Sequence, residues 1–306
     1  MEKINQGAAG HGYEGRSVKD RIPTPDEKLR GYLKTEQGKL AGRFYKMQTE
    51  LPEGKRLTVA PDFRIVPPPD LYTTSDKAFE EKFTVKNFGS LEESKITAGE
   101  NKEAGAKLEM LKTAIMHKHM GERFIVVRAS RYDDYANSVD NVLVDTESGH
   151  AICAFDEVSN NSFRSDNLAR KTKEVLDRNF GINAQIKDER QASEANRSEG
   201  AKLKYGIKLQ DGKMTCEEVD HLPIFLLSLD YDHLDEGQRT FINGEGKGIY
   251  ETELFKYFLK TLSAQIQQLK LNLNPKPYSE LPRELRERVE SFEKYIDETL
   301  GSKTKS

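Results

Sequence analysis

The clearest helical pattern in the sequence lies at residues 102–120, where apolar and polar positions recur with the period of an α-helix. The apolar residues are spaced by four, three and four positions, which places them on one helical face. They are Ala104, Leu108, Leu111 and Ile115. Gly121 follows directly and is typical of a helix C-terminus. The pattern therefore predicts an amphipathic helix that covers one side of a hydrophobic core.

Three short apolar runs follow this helix, and their β-branched and aromatic residues are typical of strands. The runs lie at 124–127, 139–144 and 151–155, with a polar stretch at 128–138 and a Gly-containing turn at 145–150. A second helix is predicted at 165–180 and a further buried strand at 224–229. The predicted fold is therefore α/β, with a mixed central sheet flanked by helices, an αβββαβ-like core and extra C-terminal helices.

Composition divides the chain into three parts. Residues 1–70 carry scattered glycines and slightly more basic than acidic residues, and they predict a flexible, mildly basic arm. Three consecutive prolines, Pro67 to Pro69, cannot continue a helix or a central strand and mark the boundary to an α/β core at 71–272. Residues 273–306 predict an amphipathic helix and a tail, and that helix either caps the core or binds a partner.

The overall charge excludes some modes of binding. The 306 residues include 48 Lys and Arg against 51 Asp and Glu, so no strong global field attracts nucleic acid or a membrane surface. No apolar run approaches the roughly 20 residues of a membrane-spanning helix. Two cysteines and no visible secretory signal favour a reducing compartment, so we expect a cytoplasmic protein. A nucleic-acid partner would have to bind through local basic groups.

Carboxylates at the ends of two predicted neighbouring strands are the most informative feature of the sequence. If residues 147–149 form the turn, Asp140 lies opposite Asp156, whereas a turn of even length brings Asp140 near Glu157. Two acids side by side in an apolar sheet repel each other. Either a divalent metal ion or a basic partner offsets that repulsion, and simple salt bridges to nearby arginines are the structural alternative.

The order of helix, three strands, helix and strand resembles the common core of the PD-(D/E)xK, or restriction-endonuclease-like, superfamily. This resemblance covers residues 102–229, less than half of the chain. It implies that Asp140 and Asp156 bind Mg²⁺ or Mn²⁺. It also implies help from an acid on the first helix, either Glu109 or Glu103.

The chain departs from the superfamily pattern at its basic residue. The superfamily has a lysine two residues after the second acid, where this chain has Val158. Some members carry the basic residue on the following helix, so the resemblance implies Lys171 or Lys173 in that role. The catalytic set implied in this way is Asp140, Asp156, Glu157 and Lys171.

The function expected from these features is metal-dependent hydrolysis of phosphodiester bonds in DNA or RNA. A bound metal ion polarises the phosphate and lowers the pKa of a water molecule, while a lysine stabilises the developing charge. Two alternatives stay open. One is a non-catalytic module that binds nucleic acid or protein on the same scaffold. The other is a nucleotidyltransferase, for which Asp140 supplies only one acid of the usual doublet.

Overall fold

A four-stranded mixed sheet forms the centre of this computed structural model, which describes residues 23–47, 51–92, 104–121, 123–148, 150–160, 165–182, 198–211, 213–243, 249–273 and 275–301. The helices of the described part are α1 (Pro25–Met47), α2 (Thr74–Phe88), α3 (Ala104–Met120), α4 (Arg131–Asn137), α5 (Ser165–Asn179), α6 (Tyr231–Asn243), α7 (Ile249–Leu271) and α8 (Arg283–Gly301). The strands are β1 (Thr58–Val59), β2 (Ile65–Val66), β3 (Phe124–Arg128), β4 (Asn141–Asp145), β5 (Ala151–Asn160), β6 (Ala201–Gln210), β7 (Lys213–Leu222) and β8 (Ile224–Asp230).

The central sheet has the strand order β3-β4-β5-β8. β3, β4 and β5 pair in antiparallel fashion, and β8 joins β5 in parallel after α5 and the β6–β7 hairpin. All five residues of β3 and of β4 are buried, as expected for strands covered on both faces. The predicted α/β class with a mixed sheet flanked by helices is confirmed.

Both terminal helices contribute to the same hydrophobic core as the sheet. In α1, which lies within the predicted flexible arm, Leu29, Leu33 and Leu40 are fully buried. Their spacing of four and seven residues places them on one face. α1 is thus packed against the core, and residues 1–22 of the predicted arm lie outside the described part. At the other end, α8 caps the core, as one of the two sequence alternatives proposed, through Leu285, Val289, Phe292 and Ile296.

Two helices beside the sheet were not predicted from periodicity. α2 begins with a capping box, in which the Thr73 hydroxyl accepts from the Asp76 N–H and Asp76 accepts from the Thr73 N–H. α4 occupies the polar stretch after β3 and begins at Ser130, whose Oγ accepts from the Asp133 N–H at 3.0 Å. These short helices are set by their caps and tertiary contacts, so apolar spacing did not reveal them. None of the helices in the described ranges is long and apolar enough to cross a membrane.

Candidate active site at the start of β4

The predicted pairing of Asp140 with the third central strand is present. Asn141 pairs with Phe155, which places Asp140 opposite Asp156, and the Asp140 N–H donates to the Phe155 carbonyl oxygen at 2.9 Å. The register shifts nearer the turn, between Leu143 and Val144. The end of the strand pair that carries the acids therefore has the register expected from the sequence. A bulge changes the register at the other end, next to the turn.

Asp156 and Glu157 point to opposite faces of the sheet, because consecutive residues of a strand alternate. Glu157 forms an ion pair with Lys112 of α3, whereas Asp156 forms one with Lys171 of α5 at 2.9 Å. The pocket beside Asp140 is lined by Glu157 and not by Asp156. The structure thus brings Asp140 together with Glu157 in the pocket. The predicted metal ligand Asp156, whose charge also acts on Asp140, does not line the pocket and pairs with the predicted catalytic Lys171.

Asp140 and Glu157 form a tightly coupled pair of carboxyl groups. The Oδ2 atom of Asp140 accepts from the Glu157 N–H at 2.6 Å. Burial and the nearby charge of Glu157 raise the pKa of Asp140 well above its usual range. The Oε2 atom of Glu157 is buried and has no hydrogen-bond partner. Such a pair is stabilised by a shared proton or by a bound cation.

Lys112 is the basic residue next to this pair, and the sequence analysis did not select it. Its side chain is fully buried, its ammonium group contacts the Glu157 carboxylate, and its Nζ atom lies 4.7 Å from the centroid of the Phe155 ring. Lys112 is four residues after Leu108 and three before Ile115, so it lies within the apolar face of α3. The sequence could have indicated Lys112, because a lysine within the apolar face of a helix is buried and then requires a partner of opposite charge.

Glu109 also lines the pocket, but a guanidinium group occupies both of its oxygens. Arg128 donates from Nε to Oε1 at 2.5 Å and from NH2 to Oε2 at 2.6 Å. This bidentate pair fixes the arginine at the end of β3. The structure therefore places Glu109 beside the predicted site as an arginine partner. Glu103, the alternative helix acid, lies outside the described residues, and Lys173 pairs instead with Asp177 at the surface.

Arg64 reaches the pocket from the N-terminal part of the chain. The Phe63 carbonyl oxygen accepts from the Arg128 N–H at 3.0 Å, which aligns the preceding segment with β3. The Arg64 guanidinium then lies 3.1 Å from Asp134 of α4. Burial raises the pKa of Asp134 to about 6, with Arg64 opposing this and Glu109 adding to it. A residue assigned to the arm is thus part of the site, which no local pattern indicated.

The turn before β4 holds Asp140 in place. Ser138 has a left-handed backbone conformation with φ of 48° and ends α4. Arg178 of α5 donates to the carbonyl oxygens of Asn137 at 2.6 Å and Ser138 at 3.1 Å. These bonds satisfy the last carbonyls of α4 and fix the direction in which the chain enters β4.

The resulting pocket has a volume of about 410 Å³ and carries a surplus of acidic groups. Four acidic and two basic residues line it, which gives a formal charge of −2 when all are ionised. They are Glu109, Asp134, Asp140 and Glu157, with Arg64 and Arg128. No cluster of three or more His, Cys, Asp or Glu side chains within the described ranges is arranged to hold a metal ion. A cation here would rely on two carboxylates and additional water or substrate oxygens.

Comparisons of the chain with protein families, with curated proteins and with solved structures found no match. The helix and strand order expected from the superfamily resemblance is present in α3, β3, β4, β5, α5 and β8. Membership of that superfamily stays a prediction.

Proposed function

We propose that this protein is a divalent-cation-dependent hydrolase of nucleic-acid phosphodiester bonds, with Asp140 and Glu157 as the cation ligands. The observation that carries the proposal is the coupled carboxyl pair, which lies in an acidic pocket next to buried cationic side chains. The residues that line the pocket carry a formal charge of −2 when all are ionised, and the adjacent Lys112 and the raised pKa of Asp140 reduce this excess. Perturbed carboxyl groups in a cleft are typical of functional sites.

The two acids fit Mg²⁺ or Mn²⁺ by their chemistry. Both cations prefer carboxylate oxygens and commonly keep several water ligands when only one or two carboxylates bind them. Glu157 offers a buried oxygen without a hydrogen-bond partner, and Asp140 has a raised pKa that a nearby cation would lower. When bound, the cation supplies Lewis acidity toward a phosphate oxygen and acidifies a water ligand.

The basic residues around the pair have separate roles in this proposal. Arg128, held in one orientation by Glu109, and Arg64, held by Asp134, attract the phosphate and offset its negative charge. Lys112 takes the position that the sequence analysis assigned to Lys171, since it lies on the same face as Glu157. It does not line the pocket, so it acts on the phosphate only through Glu157, whose carboxylate it holds in place.

The test is cleavage of labelled single-stranded and duplex DNA and RNA by the full chain with Mg²⁺, with Mn²⁺ or with EDTA. Cleavage is expected only with metal, and Asp140→Asn and Glu157→Gln should each lower the rate about 100-fold or more. Asp156→Asn is the matched control, because it changes a neighbouring acid on the far face and should retain most of the rate. Equal activity of Asp140→Asn and the parent, or full activity in EDTA, would contradict the proposal.

One observation favours the second candidate, a module that binds nucleic acid without cutting it. Lys112 already places a positive charge against Glu157, so this carboxylate is partly compensated without a metal ion. Such a module would bind DNA or RNA with a salt-dependent affinity and release no product at any metal concentration. Calorimetric titration with Mn²⁺ separates the two candidates, because only the hydrolase requires that Asp140→Asn abolish cation binding.

A further inference from the structure

Aromatic side chains form one wall of the same pocket. Phe83 and Phe88 of α2 and Tyr135 of α4 all line it. All three are half-buried, so part of each side chain stays accessible. A hydrolytic centre for a simple phosphoester has no need of rings at this place.

The rings differ in the contacts that they make with other aromatic side chains of the protein. Phe83 stacks on Tyr135 with centroids 4.5 Å apart and an interplanar angle of 22°. Phe83 also lies 6.1 Å from Phe79, which continues the aromatic contacts to Tyr132 away from the pocket. Phe88, by contrast, makes no ring contact with another aromatic residue of the described ranges. The wall therefore has a ring that no stacking partner among the described residues explains.

Three kinds of surface line this pocket, which has a volume of about 410 Å³. The aromatic wall is apolar and flat, the arginines Arg64 and Arg128 are cationic, and the Asp140–Glu157 pair is suited to a cation. A nucleotide has complementary parts, because its base stacks on aromatic rings and its phosphate binds guanidinium groups or a cation. The volume is in the range of pockets that enclose one small molecule and is too small for a base-paired helix.

We propose that Phe83 and Phe88 form a base-binding wall for a single unpaired nucleotide whose phosphate lies at the Asp140–Glu157 pair. This inference rests on the proposed function for the position of the phosphate, and it deepens that function by naming the substrate as unpaired, single-stranded nucleic acid. Stacking accepts any base, so the wall provides affinity for nucleotides without sequence specificity.

The test compares two probes that differ only in the base. Thymidine 5′-monophosphate and 2-deoxyribose 5-phosphate are titrated into the full chain by calorimetry, each in the presence of Ca²⁺. Stacking of one base on an aromatic side chain predicts that the nucleotide binds about 5- to 150-fold more tightly. Phe83→Leu and Phe88→Leu, which stay apolar but lose the ring, should each reduce this difference and leave the affinity for the sugar phosphate unchanged.

Phe79→Leu is the matched control on the same helix, because its ring belongs to the aromatic contacts but does not line the pocket. It should preserve the preference for the nucleotide. Equal affinity of the parent for the two probes would overturn the base-binding wall, as would an equal loss in Phe79→Leu and Phe88→Leu. If binding depends on the base but nothing is cleaved, the base-binding wall is supported and the hydrolase is refuted. If cleavage depends on metal but binding does not depend on the base, the hydrolase is supported and the base-binding wall is refuted.

Discussion

Replacement of Lys112 by methionine tests the buried charges on which the site depends. Methionine keeps most of the apolar stem and removes only the ammonium group. The Lys112 side chain is 0% exposed and that of Glu157 is 1% exposed, so no water compensates for the lost charge. Glu157 would then lie unpaired beside Asp140, and the folded state would have to take up a proton or a cation.

The expected loss of stability can be calculated from the free energy needed to protonate the unpaired carboxylate. Protonation of a glutamate with the reference pKa of about 4.3 costs about 3.7 kcal/mol at pH 7 and about 1 kcal/mol at pH 5. This agrees with the roughly 3–5 kcal/mol lost when one partner of a buried ion pair is removed. With about 2.1 cal/mol/K of unfolding entropy per residue, a loss of this size in a 306-residue chain lowers the Tm by about 6 °C at pH 7.

The assay is urea unfolding of the parent and of Lys112→Met at pH 5 and pH 7, with and without Mg²⁺. The variant's deficit should shrink at pH 5, because protonation of the unpaired acid becomes easier as the pH falls. Cation at 100 times its Kd should return about 2.7 kcal/mol to the variant. The double variant Lys112→Met/Glu157→Leu should regain much of the stability, because both members of the pair are then apolar.

Lys171→Met is the control for this experiment. Its partner is Asp156, and the two side chains are 29% and 10% exposed, so water replaces part of the lost interaction and the loss should be smaller than in Lys112→Met. Equal losses in Lys112→Met and Lys171→Met would refute the reasoning. A deficit of Lys112→Met that is the same at pH 5 and pH 7 would refute it as well.

Two further predictions concern parts of the fold outside the site. Phe292→Ala should lower the free energy of unfolding by about 3–5 kcal/mol, because its ring is fully buried against other rings of the core. Lys294→Ala, on the exposed side of α8, is the control and should change it by about 0.5 kcal/mol or less. Urea unfolding measures both. For Asp76, burial opposes ionisation, but hydrogen bonds from Lys204, Thr73 and Tyr205 lower the pKa below the usual value. The stabilisation that Asp76→Asn removes should therefore be fully present well above the usual Asp pKa of about 3.9 and be lost progressively as the pH falls from there through the lowered pKa of the folded state. A difference between parent and variant that does not shrink on acidification below about pH 4 would contradict the assignment.

Local periodicity was sufficient to predict α3 and the strands of the central sheet. The spacing of Leu108, Leu111 and Ile115 identified α3, and the apolar runs identified the strands of the central sheet. The alignment of Asp140 with Asp156 is the expected one, but the pairing nearer the turn is not, because a bulge between Leu143 and Val144 shifts the register there. The predicted properties depend on residues close together in the chain, so the sequence contains them.

Contacts between distant residues decided which groups belong to the site. Asp156 was the expected second acid, but the pleat directs it toward Lys171 and directs Glu157 toward Lys112. No periodicity predicts which helix covers which face, since that choice depends on the packing of the whole core.

The sequence by itself thus determined the α/β class, the main strands and the presence of acids at their ends. Only the tertiary structure decided that Asp140 and Glu157 share a buried pocket with Lys112, Arg128 and Arg64. The physical reason is that charge interactions and desolvation act through space. A carboxyl group acquires its raised pKa from burial and from neighbours that the fold, and not the order of residues, brings within reach.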